Sequence, residues 1–215
     1  MTLSTSPRIG VVSPNERDKS AGPIVPGAGD ALIVVDMQRD FLPGGTLEVP
    51  AGDAVIPVLN RWIREFAGAG RPVVFTRDWH PADHCSFEAQ GGTWPSHCVA
   101  DTPGARFAAD LEVPPSAWIV SKATQAERDA YSGFQGTDLE RRLREAGVTR
   151  VFVGGLATDY CVQATVEDAL ARDFDVCLLE DAIRPVDVSA GDGERAIAAM
   201  RQAGATAVSS AWSGP

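Results

Sequence analysis

A chain of 215 residues with 44% hydrophobic and 22% charged side chains has room for one sizeable core and the make-up of a globular protein. Nineteen basic against twenty-nine acidic residues give a formal charge of −10, which repels phosphate backbones and anionic lipid. That balance argues against nucleic-acid and membrane partners and for small-molecule chemistry. No run approaches the ~20 apolar residues of a membrane helix, and no basic-then-apolar leader opens the chain. The four Cys (85, 98, 161 and 177) therefore read as reduced thiols, and the expected location is cytoplasmic.

Residues 1–28 are rich in Ser, Pro, Gly and charge and read as a flexible arm with little to bury. From 29 to 215 the pattern is that of one domain. Short apolar runs fall at 31–37 (ALIVVDM), 72–78 (PVVFTRD), 117–123 (AWIVSKA), 150–157 (RVFVGGLA) and 175–182 (DVCLLEDA), with a weaker ATAVSS at 205–210. They do not alternate and are rich in β-branched residues, as in strands covered on both faces. Amphipathic stretches separate them: DAVIPVLNRWIREFAGAG, TDLERRLREAG, CVQATVEDALARDF and GERAIAAMRQAG. In the second, Leu139, Leu143 and Ala146 fall on one face and Glu140, Arg141, Arg142 and Arg144 on the other. Three of the four end in Ala-Gly, a helix-closing signal. The rhythm predicts an open, mainly parallel six-stranded α/β sheet with helices on both faces. Residues 79–116 break it. That insert has no period and holds five Pro, two Trp and all three His of the chain, which marks it as functional.

Ligands of open parallel sheets gather beyond the carboxyl ends of the strands. Those ends bring Asp36, Asp78, Lys122 and Cys161 to one edge. Cys161 opens a helical stretch after a Gly-rich turn, so the helix dipole and a nearby Lys122 are expected to lower its thiol pKa. A Cys so placed is either a nucleophile or a buried structural thiol; Cys177, inside a strand, fits the second role. Beside a Cys and a Lys, Asp36 is a candidate general base whose pKa partial burial would raise. Asp78, His80, His84 and His97 offer one carboxylate and three imidazoles, donors suited to Zn, Fe or Mn. A structural zinc site through Cys85 or Cys98 is the rival reading, although no Cys-x2-Cys spacing supports it.

The motifs ALIVVDMQRDFLPGG, TRDWHPADHCSF, TWPSHCVADTPGA, Lys122 followed by DAYSGFQGTDL, and GGLATDYCVQATVEDAL resemble, in this order, those of nicotinamidases in the isochorismatase-like cysteine hydrolase superfamily. The resemblance covers roughly residues 30–210. It implies that 29–215 is one hydrolase domain with a metal-binding insert at 79–116. It further implies Asp36 as base, Lys122 as its partner, Cys161 as nucleophile, and one divalent ion, zinc foremost, on Asp78, His80, His84 and His97. A cis peptide before Ala157 would turn the amides of Ala157 and Cys161 toward an oxyanion. Phe41 and Trp94 would flank a substrate ring, with Leu47 and Tyr131 at the pocket border. The chain departs from the pattern in carrying Ala123 where Gly often follows the Lys, and in Tyr160 and Cys85. The implied reaction is hydrolysis of nicotinamide to nicotinate and ammonia through a thioester. Other small amide, carbamoyl or enol-ether substrates, and a non-catalytic metal-binding role, are the alternatives; homo-oligomerisation stays open. A nucleotide-binding role would want a G-x-G-x-x-G loop after the first strand, and DMQRDFLPGG is none.

Overall fold

A computed structural model describes residues 26–209; the expected N-terminal arm lies outside them apart from 26–28. Six strands form one sheet: β1 (Asp30–Val35), β2 (Val73–Asp78), β3 (Trp118–Lys122), β4 (Arg150–Leu156), β5 (Asp175–Arg184) and β6 (Thr206–Val208). Their order is β3-β2-β1-β4-β5-β6, and every pairing is parallel. Helices α1 (Ile56–Gly68), α2 (Leu139–Glu145), α3 (Gln163–Leu170) and α4 (Asp192–Ala203) alternate with the strands as the sequence predicts. Among the described residues no helix is long and apolar enough to cross a membrane.

Successive side chains of β1 enter two different cores, which explains why the run shows no polar alternation. Leu32 and Val34 join Leu59, Trp62, Phe66, Phe75 and Phe152 beneath α1. Ala31, Ile33 and Val35 join Leu139, Leu143, Val166 and Met200 from α2, α3 and α4. One expected core position is different. Ala146 is exposed, because α2 ends at Glu145 and the chain turns at Gly147 (φ 71°) toward β4. Residues 79–116 hold no strand and only one short helical turn, Glu88–Gln90, yet Cys98, Ala105, Ala108 and Leu111 are buried in the core beneath α1.

The strand order reverses at β1, with β2 on one side and β4 on the other. A crevice opens at such a switch point beyond the carboxyl ends of the strands. Close approach there depends on Gly155 (φ 126°): a Cβ would stand 2.1 Å from the Val35 carbonyl oxygen. β4 also shifts register against β5 between Val153 and Gly155. Against β1 it keeps register to the end, with Val35 opposite Gly155, which sets the turn that follows next to Asp36.

Candidate active site

Three reactive groups meet beneath that crevice. Asp36 follows β1 with a left-handed backbone (φ 47°), a conformation that costs a non-glycine residue of order 1 kcal/mol or more. Its Oδ1 accepts a 2.7 Å hydrogen bond from Thr76 Oγ1, and its Oδ2 lies 3.0 Å from Lys122 Nζ. Lys122 ends β3 and is itself followed by a left-handed residue, Ala123 (φ 52°), where a Gly would fit without strain. The Lys122 ammonium also bonds Asp78 Oδ1, donates to the Ala130 carbonyl at 3.2 Å and reaches Cys161 Sγ at 3.4 Å. Asp36, Lys122 and Cys161 are all buried.

Cys161 lies within a π-helical turn, Thr158–Val162, that precedes α3, rather than at the first residue of an α-helix. The peptide before that turn, Leu156–Ala157, is cis. The thiol pKa is raised, contrary to the expectation from the helix dipole and Lys122. Burial outweighs the ammonium, and the nearby Asp36 and Asp78 carboxylates add to it. Burial likewise lifts the Asp36 carboxyl against the pull of Lys122, with Asp78 adding to the rise. Burial alone would lower Lys122, but Asp36 and Asp78 outweigh it and hold the ammonium charged. The resting site is thus a thiol that needs a proton acceptor and a carboxyl with raised proton affinity beside it.

The insert supplies the next layer. Asp78, His80 and His97 place one ligand atom each within 4.8 Å of the others, all three residues buried. His80 Nδ1 lies 3.0 Å from the His97 carbonyl and His97 Nδ1 lies 2.8 Å from the Pro95 carbonyl. An imidazole whose Nδ1–H donates to a carbonyl keeps its Nε2 lone pair free for a cation. Burial pushes the His80 pKa down to about 3, so its ring is neutral at physiological pH. This donor set fits a small divalent ion. His84 stands beside His80, with ring centroids 4.3 Å apart; its ligand atom groups with those of His80 and the exposed Asp129, and its Nε2 faces the Arg128 carbonyl at 3.1 Å. Cys98 is buried, burial pushes its thiol up, and neither it nor Cys85 enters these groups. Asp36, Asp78 and Cys161 are also within 4.8 Å of one another, but the Lys122 ammonium already touches all three.

Above Cys161 opens a narrow cavity. Phe41, Leu47, Trp94 and Tyr131 all line it, together with Asp78, His97, Ala157 and Cys161. Phe41 packs on His97 with ring centroids 5.6 Å apart, and the Trp94 indole N–H donates to the Tyr131 hydroxyl at 3.0 Å. Tyr160, singled out in the sequence only as a departure, meets Trp94 edge-on at 5.2 Å and lines the cavity too. Sequence reasoning also missed Val49, Leu156 and Val186, which give no signal beyond being apolar.

Gln38 was missed as well. Its Oε1 accepts from the Asp78 N–H at 2.7 Å while its Nε2 donates to the Asp78 carbonyl at 2.8 Å, fixing the backbone of that residue. Asp40 accepts from the Cys98 N–H at 2.7 Å and ties the insert to the turn after β1. In the run MQRDF nothing distinguishes either of them from Arg39, which lies between them.

Comparison with known proteins agrees with this layout. The Isochorismatase domain family matches residues 30–211. A nicotinamidase of Escherichia coli (strain K12) is 38% identical over 197 residues, covering 82% of this chain and 92% of that protein. The zinc complex of a pyrazinamidase from Pyrococcus horikoshii superposes with a TM-score of 0.81 at 52% identity, covering 84% of this chain and 99% of that one. A protein of L. infantum bound to nicotinate superposes with a TM-score of 0.79 at 36% identity, covering 88% of this chain and 97% of that one. The chain belongs to the Isochorismatase family.

Proposed function

We propose that this protein is a cysteine amidohydrolase that converts nicotinamide to nicotinate and ammonia. The observation that carries the reading is the meeting of Cys161, Asp36 and Lys122 under an aromatic-walled cavity that Asp78 and His97 line, with His80 grouped beside these two. The curated E. coli relative and the nicotinate-bound neighbour support the substrate.

A pyridine ring seated among Phe41, Trp94 and Tyr131 brings its carboxamide over the Cys161 sulfur. Asp36 takes the thiol proton as the sulfur attacks the amide carbon, and Lys122 keeps the developing charges balanced. The backbone N–H groups of Ala157 and Cys161 receive the oxyanion. Asp36 then passes the proton to the departing nitrogen, ammonia leaves, and a thioester remains on Cys161. Asp36 next takes a proton from water, whose oxygen attacks the thioester carbon. The carbon–sulfur bond breaks, the sulfur recovers a proton, and nicotinate departs.

Asp78, His80 and His97, with His84 beside His80, would hold one divalent ion, and zinc suits such imidazole and carboxylate donors. When bound, it supplies a Lewis-acid anchor for a ring nitrogen. Location in the cytoplasm belongs to the same proposal. The deciding experiment measures ammonia release from nicotinamide, pyrazinamide, benzamide and a ureido acid, with and without a chelator. Turnover of the pyridine and pyrazine amides, reduced by the chelator, is expected. Release from the ureido acid alone would transfer the protein to another branch of the family.

A further inference from the structure

The turn that carries Cys161 is tied to a second loop by one side chain. Asp159, two residues before Cys161, accepts two main-chain hydrogen bonds. Oδ1 receives the Val186 N–H and Oδ2 the Asp187 N–H, each at 2.9 Å. Both donors belong to the link between β5 and α4, whose other hydrogen bonds, from the Ser189 N–H to Asp192, from the Gly193 N–H to Asp187 and from Arg195 to the Ala190 carbonyl, fasten it to α4 and not to the turn that carries Cys161. Residues 187–190 are exposed, Val188 by 67%. Asp187 is left-handed (φ 55°), and its Oδ1 accepts from the Gly193 N–H at 2.8 Å, fastening the far end of the link to α4. Val186 turns inward from this link and lines the cavity that holds Cys161. Tyr160, adjacent to Asp159, lines the same cavity.

We propose that Asp159 is a positioning and specificity residue: it clamps the Val186 wall of the cavity at a set distance from Cys161 and so limits the width of ring that can enter. This inference rests on the amidase reading above. A carboxylate bound by two N–H groups makes charge-assisted bonds, roughly twice as strong as neutral ones. A link with few buried contacts opens readily once they are lost. The clamp acts on the wall and not on the reacting atoms, so its loss changes which substrate is held before it changes the chemistry.

The test compares Asp159→Asn, which keeps the size but loses the charge and one acceptor, with Val186→Ala. In Asp159→Asn, hydrogen exchange at the Val186 and Asp187 amides is expected to quicken at least about tenfold, with the strand amides unchanged. The KM for nicotinamide should rise about tenfold while kcat stays within about threefold. Both variants should lose part of the preference for nicotinamide over a ring-methylated nicotinamide. Unchanged exchange at the two amides overturns the clamp. Equal losses on both substrates, leaving their ratio intact, overturn the specificity role. Failure of the unsubstituted protein to release ammonia from either amide overturns the amidase reading instead, and the exchange rates still decide the clamp without it.

Discussion

β1 carries an aspartate at each end, and the two have opposite fates. Asp30 opens the strand and Asp36 lies just past its close; they are 3% and 0% exposed. Asp30 receives Arg150 through both oxygens, Nε to Oδ1 at 2.8 Å and Nη2 to Oδ2 at 2.7 Å, and the Gly27 N–H at 2.6 Å. Burial alone would push its carboxyl up, but these partners outweigh it and hold the pKa below the ordinary value. Asp36 has one hydroxyl and an ammonium that it shares with Asp78, and burial carries its carboxyl up. Both are closed to solvent, but Asp36 lies deeper in the protein and has the less complete partner set, and the two together separate a reactive carboxylate from a structural one. A fully paired carboxylate stays ionised, whereas an incompletely paired one keeps proton affinity that a reaction can use.

The sharpest way to break this comparison is to remove the charge at each end in turn. Asp36→Asn keeps the shape and can still accept from Thr76, but has nowhere to put the thiol proton. Its kcat/KM for ammonia release should fall by about 10⁴-fold, in the range for members of a catalytic unit. Asp30→Asn should leave kcat/KM within about twofold at temperatures where it is folded. An Asp36→Asn variant that keeps even a tenth of the activity would remove Asp36 as the base.

Lys122→Met tests the sharing of one ammonium. It leaves the Asp36 and Asp78 carboxylates buried without a cation, and the cost of breaking such a pair is about 3 to 5 kcal/mol. Denaturant unfolding in the presence of chelator should show that loss. Combining it with Asp36→Asn should recover part, because one of the stranded charges is gone. Additive losses would mean that Lys122 and Asp36 do not depend on each other.

Farther out, the three imidazoles can be ranked by geometry. His97→Ala removes a donor that sits with Asp78 and His80, and should weaken retention of the ion by at least about tenfold. His84→Ala should weaken it less, since its Nε2 faces the Arg128 carbonyl. Metal content after dialysis against graded chelator decides between them. Equal losses would place His84 in the same shell as His97.

Much of this was legible in the sequence. Unbroken β-branched runs fixed all six strands to within about two residues, because burial on both sheet faces leaves a pattern that needs no neighbour to interpret. The same runs end on Asp36, Asp78 and Lys122, so the strand tips announced the site. What stayed hidden depends on distance between remote segments. The thiol was expected to be acidified by the helix dipole and Lys122, and that sign was wrong because burial depth cannot be read from neighbours in the chain. His84 does lie beside His80, with ring centroids 4.3 Å apart, but the sequence gives no sign that its Nε2 also faces the Arg128 carbonyl. Asp159 reads as one polar residue among TDYC and acquires meaning only beside Val186.

The smallest expected effect tests the quiet end of β1. Asp30→Asn gives up one charge-assisted bond pair, about 1 to 3 kcal/mol, and the lower part of that range applies because the Arg150 side chain is 38% exposed and water screens it. The folded carboxyl titrates below its ordinary 3.8. The unfolded chain therefore takes up protons first as pH falls, and the contribution of Asp30 is complete above that ordinary value and lost as pH drops through the folded pKa. The difference in Tm between the unsubstituted protein and Asp30→Asn should be widest near neutral pH and should shrink on titration toward about pH 3. A difference that held constant across that range would show that shape, not charge, gives Asp30 its part in the fold, and the contrast with Asp36 would lose its electrostatic basis.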